Sequence, residues 1–408
     1  MIGRSTPASE LWKSFKWKKF QKILFRLQKR VYKAVRAGDK RKARSLQKLI
    51  LKSQSAKLLA IRQVTQLNAG KKTAGIDGVA SLSFEERLAL ARELSQHHTN
   101  WKHKGLREIP IPKKDGTIRM LKVPTIADRA WQCLAKYALE PAHEATFHAR
   151  SYGFRTGRSA HNAQKYLFDN LRSMSHGIDK RVIELDIEKC FDMINHTAIM
   201  DNLIAPAGLK LGIFRCLKAG TNVGFPDQGT PQGGVVSPLL ANIALNGIES
   251  LHRYKGTNRN SLWFIRHKAY KIFNKEAKQD RHSVIKLIEK AFPAVPHSEN
   301  KHIIVKGEKS PYDGDISYWS ERKSKLYEGL TSKAKKQSRK CVACGLIFIG
   351  EEKVHLHHAD GNHDNWDKKN LVAIHESCHD YVHMSNKGKV VAIHEPCQSE
   401  PSTSKSAS

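Results

Sequence analysis

The sequence predicts an α+β protein of several domains: a helical basic N-terminal arm, a mixed central region and a small C-terminal module stapled by metal. Three observations carry this prediction. Between Lys13 and Lys72 there are twenty basic residues and one acidic one, Asp39, with apolar residues recurring among them at helical spacing. On both sides of the tetrapeptide KKDG, apolar and polar residues alternate as in a two-stranded hairpin. Finally, HLHHADGNHDNWDKKNLVAIHESCHDYVH, His355 to His383, holds seven of the chain's twenty-one histidines, and CVACG just before it adds two thiols.

Taken in order, Ile23, Leu27, Val31 and Val35 line one face of a first helix, which AGD closes at Asp39. Leu46, Leu49, Ile50, Leu58 and Ile61 continue the pattern in a second helix from about Lys40 to Asn68. Most charge runs are solvated faces laced with salt bridges, but one acid among twenty bases leaves little to pair with. The arm therefore reads as a surface for a phosphate backbone, through Lys18, Lys19, Arg30, Arg41, Lys42 and Arg44. TAGIDGV breaks the chain, an amphipathic helix follows around Ser83 to Leu94, and REIPIPKKDGTIRMLKVPT supplies the hairpin. A helix from Ile126 to about Leu139 leads into RSYGFRTGRSAHNA, a basic loop whose Arg155 and Arg158 suit nucleic acid, and then into another helix. KRVIELDIEKCFDMINH holds a nearly continuous apolar strand, Val182 to Asp186, with an acidic end, and Asp192 follows six residues later. GTPQGGVVSPLLANIALNGIE is a glycine turn and a helix, suited to close approach of backbone to a base or triphosphate. From Ser310 a Tyr- and Lys-rich connector leads to CVACG, and beyond Met384 the chain is polar and disordered in character.

At 408 residues and 40% apolar content the chain can bury real cores. A net charge of +33 concentrates polyanions and makes their binding salt-dependent, so nucleic acid is the expected partner, and an acidic membrane surface is disfavoured by the lack of a clean basic amphipathic helix. No apolar signal core opens the sequence and VVSPLLANIAL, the longest apolar stretch, is short, so a membrane-spanning role is not expected. Seven cysteines, two of them in a CxxC beside histidines, fit metal binding in a reducing cytoplasm better than disulfides.

Cys341, Cys344, His375 and Cys378 have the spacing of a tetrahedral Zn2+ site, and a module this small needs such a staple. The other histidines fall outside that cage. His357 and His358 are adjacent on a strand and point to opposite faces, whereas His379 and His383 lie four apart on one helix face. One face can gather His357, His379 and His383 around a second cation, leaving His358 to take a proton from water. Asn370 lies between strand and helix, where its amide can pin the intervening loop. His355 and His363 read as surface or phosphate-contacting residues.

The order His, Asn, His resembles the HNH endonuclease family, a two-stranded hairpin and helix around one metal. The resemblance implies a catalytic set of His358 as general base, Asn370 orienting it and His379, with Mg2+ (or Mn2+) on His357, His379 and His383, and hydrolysis of DNA phosphodiesters. Nearly the whole chain in turn resembles reverse transcriptases encoded by bacterial and organellar group II introns, through KKTAGIDG, PIPKKDGTIRMLKVPTIADRAWQ, YGFRTGRSAHNA, ELDIEKCFD, TPQGGVVSPLLAN and SPYDGDISYWS. That resemblance implies metal binding by Asp186, stacking of Phe191 under an incoming sugar, Arg119 on the triphosphate and Gln232 on the nucleotide. It also implies intron RNA and target DNA as partners, with a homodimer as a further expectation.

One departure is large: the family carries paired aspartates after the TPQGG loop, and no two aspartates are adjacent anywhere in this sequence. The polymerase centre therefore reads as vestigial. The implied layout is a basic helical region over 1–80, partial reverse-transcriptase fingers and palm over 81–250 and a maturase remnant over 251–310. A DNA-binding connector over 311–339, an HNH module over 340–384 and a tail over 385–408 complete it. The leading expectation is an HNH endonuclease on a truncated reverse-transcriptase scaffold. The alternatives are an RNA-binding maturase remnant without catalysis, or a polymerase whose centre is completed by a second polypeptide.

Overall fold

Asp39, the one acid of the basic arm, sits at a helix start. Its Oδ1 accepts the Lys42 amide N–H at 2.8 Å, satisfying a donor that a helix leaves without a partner in its first turn. The computed structural model describes residues 7–113, 116–171, 190–220, 227–231, 233–247, 304–315, 318–319, 337, 340–345, 348, 354–367, 369–375, 378–379 and 382–383. The chain divides into two units, Met1–Asp313 and Gly314–Ser408.

In the first unit, α1 (Ala8–Ser14) precedes α2 (Trp17–Arg36), which buries Leu24, Gln28, Val31, Tyr32 and Ala34. Gly38, at φ 78°, takes the left-handed turn out of α2, and Asp39 then starts α3 (Lys40–Lys52). The long second helix expected from Lys40 to Asn68 is corrected here. It breaks at Ser53, whose ψ of 121° is extended and whose hydroxyl accepts the Ala56 amide to begin α4 (Gln54–Arg62), followed by a π-helical turn, Gln63–Leu67. Every residue from Ser55 to Ile61 is buried. A helix buried all round carries no one-sided apolar stripe, which is why the periodicity did not mark its start.

Ser83 and Glu86 form a capping box at the head of α5 (Phe84–His97). Strands β1 (Arg107–Pro112) and β2 (Ile118–Val123) pair antiparallel, with Ile111 opposite Arg119, as the alternation around KKDG predicts. Helix α6 (Ile126–Glu144) crosses the core and runs five residues past its expected end, through Pro141. Proline cannot donate to the carbonyl four residues back, Tyr137, and the Gln28 side chain of α2 donates to that carbonyl instead at 3.1 Å. Gln47 of α3 similarly reaches the carbonyls of Ala138 and Ile204 at 3.1 and 2.8 Å. The remaining helices are α7 (Ala160–Leu171), α8 (Cys190–Met193), α9 (His196–Asn202), α10 (Ala207–Ala219) and α11 (Ser237–Leu245). Residues 304–313 also belong to this unit: Asn162 accepts the Val305 amide at 3.1 Å, and the Tyr312 hydroxyl donates to Glu140 at 3.0 Å.

Two consequences of this core can be measured. Gly212 of α10 lies against fully buried Trp131, and a Cβ there would fall 2.3 Å from the indole. Gly212→Ala should therefore cost at least about 2 kcal/mol, read as a lowered denaturant midpoint, because the ring has nowhere to move. His143, at the end of α6, accepts the Ile204 amide on Nε2 at 3.2 Å, and burial pushes its imidazole down to about 3. The folded chain keeps this ring neutral, whereas the unfolded chain takes up a proton near pH 6.5. Between pH 6.5 and 3 the unfolded state thus binds more protons. His143 makes stability fall with pH through that window by at most about 1.4 kcal/mol per unit, and leaves it level above. Denaturation of wild type and His143→Gln from pH 7.5 to 5 should show a shallower pH slope in the variant.

In the second unit β3 (Val354–His358) and β4 (Leu371–His375) pair antiparallel, with His357 opposite Val372 and His358 opposite Leu371. Phe348, Val354, Ala373, Ile374 and Val382 pack with the three cysteines into a small core. Gln337 covers the edge of β4, its amide donating to and accepting from the Ala373 backbone at 3.0 and 2.8 Å. Residues 378–379 and 382–383 are helical. Among the described residues, no helix is long and apolar enough to cross a membrane.

Candidate functional site

The second unit gathers two clusters from three short pieces of chain. In the first, one sulfur each from Cys341, Cys344 and Cys378 and one nitrogen of His375 all lie within 4.8 Å of one another, and all four residues are buried. Gly345, at φ 66°, lets its amide turn back onto the Cys341 carbonyl at 2.7 Å, so the CxxC forms a tight knuckle. His375 presents Nδ1, 3.4 Å from the Cys344 sulfur and 3.9 Å from that of Cys378. Thiol hydrogen bonds from Cys344 and then Cys378 hold Cys341 far below the ordinary range, and hydrogen bonds with Cys341 and then Cys344 push the Cys378 thiol far up. A tetrahedral ion with metal–sulfur bonds of about 2.3 Å needs ligand edges of about 3.8 Å, so this donor set fits such an ion with little adjustment.

In the second cluster, His357 of β3 meets His379 and His383 with one nitrogen from each inside the same 4.8 Å limit. His357 is 1% exposed. Its ring lies edge-on to both helical rings, at 5.2 and 5.0 Å between centroids, and these two rings are 4.4 Å apart. Charged imidazoles would repel at these distances, whereas neutral ones can converge as ligands.

His358, one residue on, stands outside both clusters. It is buried, its Nε2 makes no hydrogen bond among the described residues, and its ring packs edge-on against Trp366 at 4.9 Å. Asn370 fixes the chain beside it. The Asn370 amide donates to Asp360 Oδ1 at 2.9 Å and to the Asn365 carbonyl at 2.8 Å, while its side-chain oxygen accepts the Asp360 amide at 3.1 Å. Asp360 in turn is held below the usual carboxylate range by the Asn362 backbone N–H first, then by the Asn365 and Asn370 amides. Asn370 thus ties down the turn that follows His358, and no hydrogen bond joins it to the His358 ring itself.

Two histidines read from sequence as surface residues take part in this array. His355 stacks on His379 at 5.0 Å, because it shares a strand face with His357. His363 stacks on His383 at 5.8 Å and approaches His358 at 5.3 Å. Trp366 was missed as well, since no spacing rule relates a turn residue to a strand end eight positions earlier.

In the first unit, the CFD segment and the GTP segment meet. Phe191 accepts the Thr230 amide at 2.6 Å, Ile194 accepts that of Gly229 at 2.8 Å, and Gly229 takes φ 94° close to the Asp192 carbonyl. Phe191 is half-buried and lies edge-on to Phe154, an exposed residue at φ 53° that no motif or spacing singles out. Arg119 is exposed on β2. Asp186 with its strand, and Gln232, lie outside the described residues. The close approach expected of the glycine loop is made to protein: Gly233 donates to the Lys122 carbonyl at 3.0 Å, and a Cβ would fall 2.5 Å from that oxygen.

Of the cations expected to meet nucleic acid, Lys19, Arg30, Arg41, Lys42 and Arg44 are exposed, and Lys18 is buried. Arg155 and Arg158 need correcting. Arg155 is buried in a two-pronged pair with Glu144 at 2.9 Å and also donates to the carbonyls of His148 and Ser151. Arg158 donates to the carbonyls of Ala149, Gly307 and Lys309. A loop with few side chains to fill its interior uses guanidinium forks instead, so neither residue presents its charge to a polyanion.

The family models that match this chain cover parts of residues 12–265. The N-terminal domain of reverse transcriptase matches residues 12–94, and reverse transcriptase (RNA-dependent DNA polymerase) matches residues 111–265. Maturase-like protein 1 of Euglena gracilis is 39% identical over 255 residues, 62% of this chain and 56% of the relative. Protein YkfC of Escherichia coli K12 is 31% identical over 264 residues, 61% of this chain and 67% of the relative. Group II intron-encoded protein LtrA of Lactococcus lactis subsp. cremoris is 33% identical over 190 residues, 45% of this chain and 31% of the relative. The chain belongs to the reverse transcriptase family. Within it, the chain is similar to maturase-like and group II intron-encoded proteins. It spans about half the length of the maturase-like relatives it matches.

Proposed function

We propose that the second unit is a metal-dependent HNH endonuclease that nicks DNA, carried by a first unit that binds group II intron RNA and target DNA. The observation that carries this reading is the convergence of His357, His379 and His383 within 4.8 Å, with His358 next in sequence yet outside that set. The three histidines would hold a divalent cation, which when bound supplies Lewis-acid stabilisation of a leaving oxygen. The group contains no carboxylate, and three imidazoles suit Mn2+ or Zn2+ better than the Mg2+ that the resemblance suggested. Cys341, Cys344, His375 and Cys378 would hold a structural Zn2+.

His358 then takes a proton from the water that attacks phosphorus, using Nε2, which makes no hydrogen bond among the described residues. Asn370 acts as a positioning residue through the Asp360–Asn365 turn, and the exposed lysines and arginines of α2 and α3 draw in the phosphate backbone. We read the polymerase centre as vestigial, since Asp192 and Asp186 have no adjacent aspartate pair to complete a two-metal site. The test is supercoiled plasmid incubated with the protein. Nicking should require a divalent cation, run faster with Mn2+ than with Mg2+ at equal concentration, and disappear in His358→Ala.

A second reading, an RNA-binding maturase remnant, is favoured by the +33 charge and the exposed basic arm. Tight, salt-sensitive RNA binding with no nicking in any metal would select it. Primer extension by the isolated protein would overturn the vestigial reading.

A further inference from the structure

Trp366 is the feature of the second unit that packing does not explain. It is the most exposed large apolar side chain in the described chain, at 67%, equalled only by Phe154. Yet its ring is not loose. The indole stands edge-on to His358 at 4.9 Å, and the turn bearing it is closed by side-chain hydrogen bonds at almost every residue. Asn362 donates to Asp360, Asp364 to Asn362, and Asp367 to Asn365, each from the backbone N–H, while Asn370 clasps the Asn365 carbonyl. A turn so closed that holds an indole ring largely in water is a prepared contact surface, because the ordering has been done before any partner arrives.

The charge around it narrows the partner. The turn carries Asp360, Asp364 and Asp367 against Lys368 and Lys369 in the sequence, so it has no excess of positive charge. An indole ring has no charge to pair with a phosphate, whereas the face of a nucleobase is neutral and every base has one. An indole face can stack on a base only if that base has left its own stack. We propose that Trp366 is a nucleotide-stacking platform beside His358, which takes an unpaired nucleotide adjoining the phosphate to be cut. The nuclease site therefore prefers single-stranded or locally unpaired strands to intact duplex. This deepens the endonuclease reading and rests on it for the word cut, but the stacking itself can be tested without nicking.

The first arm is intrinsic fluorescence of the full-length protein, taking wild type minus Trp366→Phe to isolate this indole among seven tryptophans. Oligo(dT) should quench the difference signal, and a fully paired duplex of equal length should not. Stacking reads the base face, so oligo(rU) should quench within about threefold of oligo(dT). Equal quenching by duplex, no quenching, or a more than tenfold preference for one sugar each overturns the proposal. The second arm is nicking of a duplex with one unpaired thymidine. Trp366→Ala should raise KM about 5- to 150-fold, the range for one base–aromatic stack, with kcat nearly unchanged, and Trp366→Phe should restore most of the loss. A fall in kcat at constant KM would instead make Trp366 a support for His358. If no substrate is nicked by wild type, the endonuclease reading fails, and the quenching arm still decides the role of the indole. Because Trp366 is exposed, bound zinc equal to wild type serves as the folding control.

Discussion

Replacing His358 with alanine should slow plasmid nicking by about 10²- to 10⁴-fold, the usual contribution of a positioned general base, and leave RNA binding untouched. The expectation depends on where the ring sits. His358 is buried at the end of β3, outside the groups that can hold metal, so its loss leaves both clusters intact. The side chain it packs against, Trp366, is already solvent-exposed, so the deletion opens no sealed cavity. Zinc and manganese content measured by emission spectroscopy should match wild type, which separates loss of a base from loss of a fold. His357→Ala should behave differently, lowering Mn2+ content along with activity. If His358→Ala nicks at the wild-type rate while His357→Ala is inactive, the base lies elsewhere and the assignment of roles is wrong.

Cys378→Ser should unfold the second unit and leave the first standing. Apparent binding energies of structural zinc in small modules run to about 10–16 kcal/mol, far more than the few apolar residues around the cage can supply. The variant should lose its zinc and become open to proteolysis between residues 340 and 383, while the melting transition of the first unit stays where it was. Thiol titration gives an independent readout. Burial pushes the Cys133 and Cys216 thiols up to about 11 and about 12, so both should stay silent in the native protein. Chelation should expose the cage cysteines to reagent without exposing these two. A Cys378→Ser protein that keeps its zinc and its protease resistance would show that the cage is not what holds the module together.

The parts of this molecule legible in the sequence are those set by short-range rules. The CxxC and HxxC pairs, the alternation around KKDG and the split of His357 from His358 follow from local spacing, and the residues they pick out do come together. What stayed hidden depends on contacts far apart in the chain. The break at Ser53 is set by a helix buried on all sides, and the inward turn of Arg155 by Glu144, eleven residues earlier in α6. A positive charge looks the same in sequence whether it faces water or a buried carboxylate. His355, His363 and Trp366 were undervalued for a related reason: their neighbours are decided by how the turn closes, which the Asp360 and Asn370 hydrogen bonds determine.

Pro141 and Gln28 have an implication for inheritance and for engineering. Because an amide on α2 replaces the hydrogen bond that a proline removes from α6, Gln28 and Pro141 form a matched pair, joined through the Tyr137 carbonyl 109 residues from Gln28. Relatives that restore an ordinary residue at 141 are released from needing an amide at 28, and the two sites should drift together. Chimaeras that graft the arm of one relative onto the core of another should fail or recover according to that match, so the arm is no interchangeable appendage.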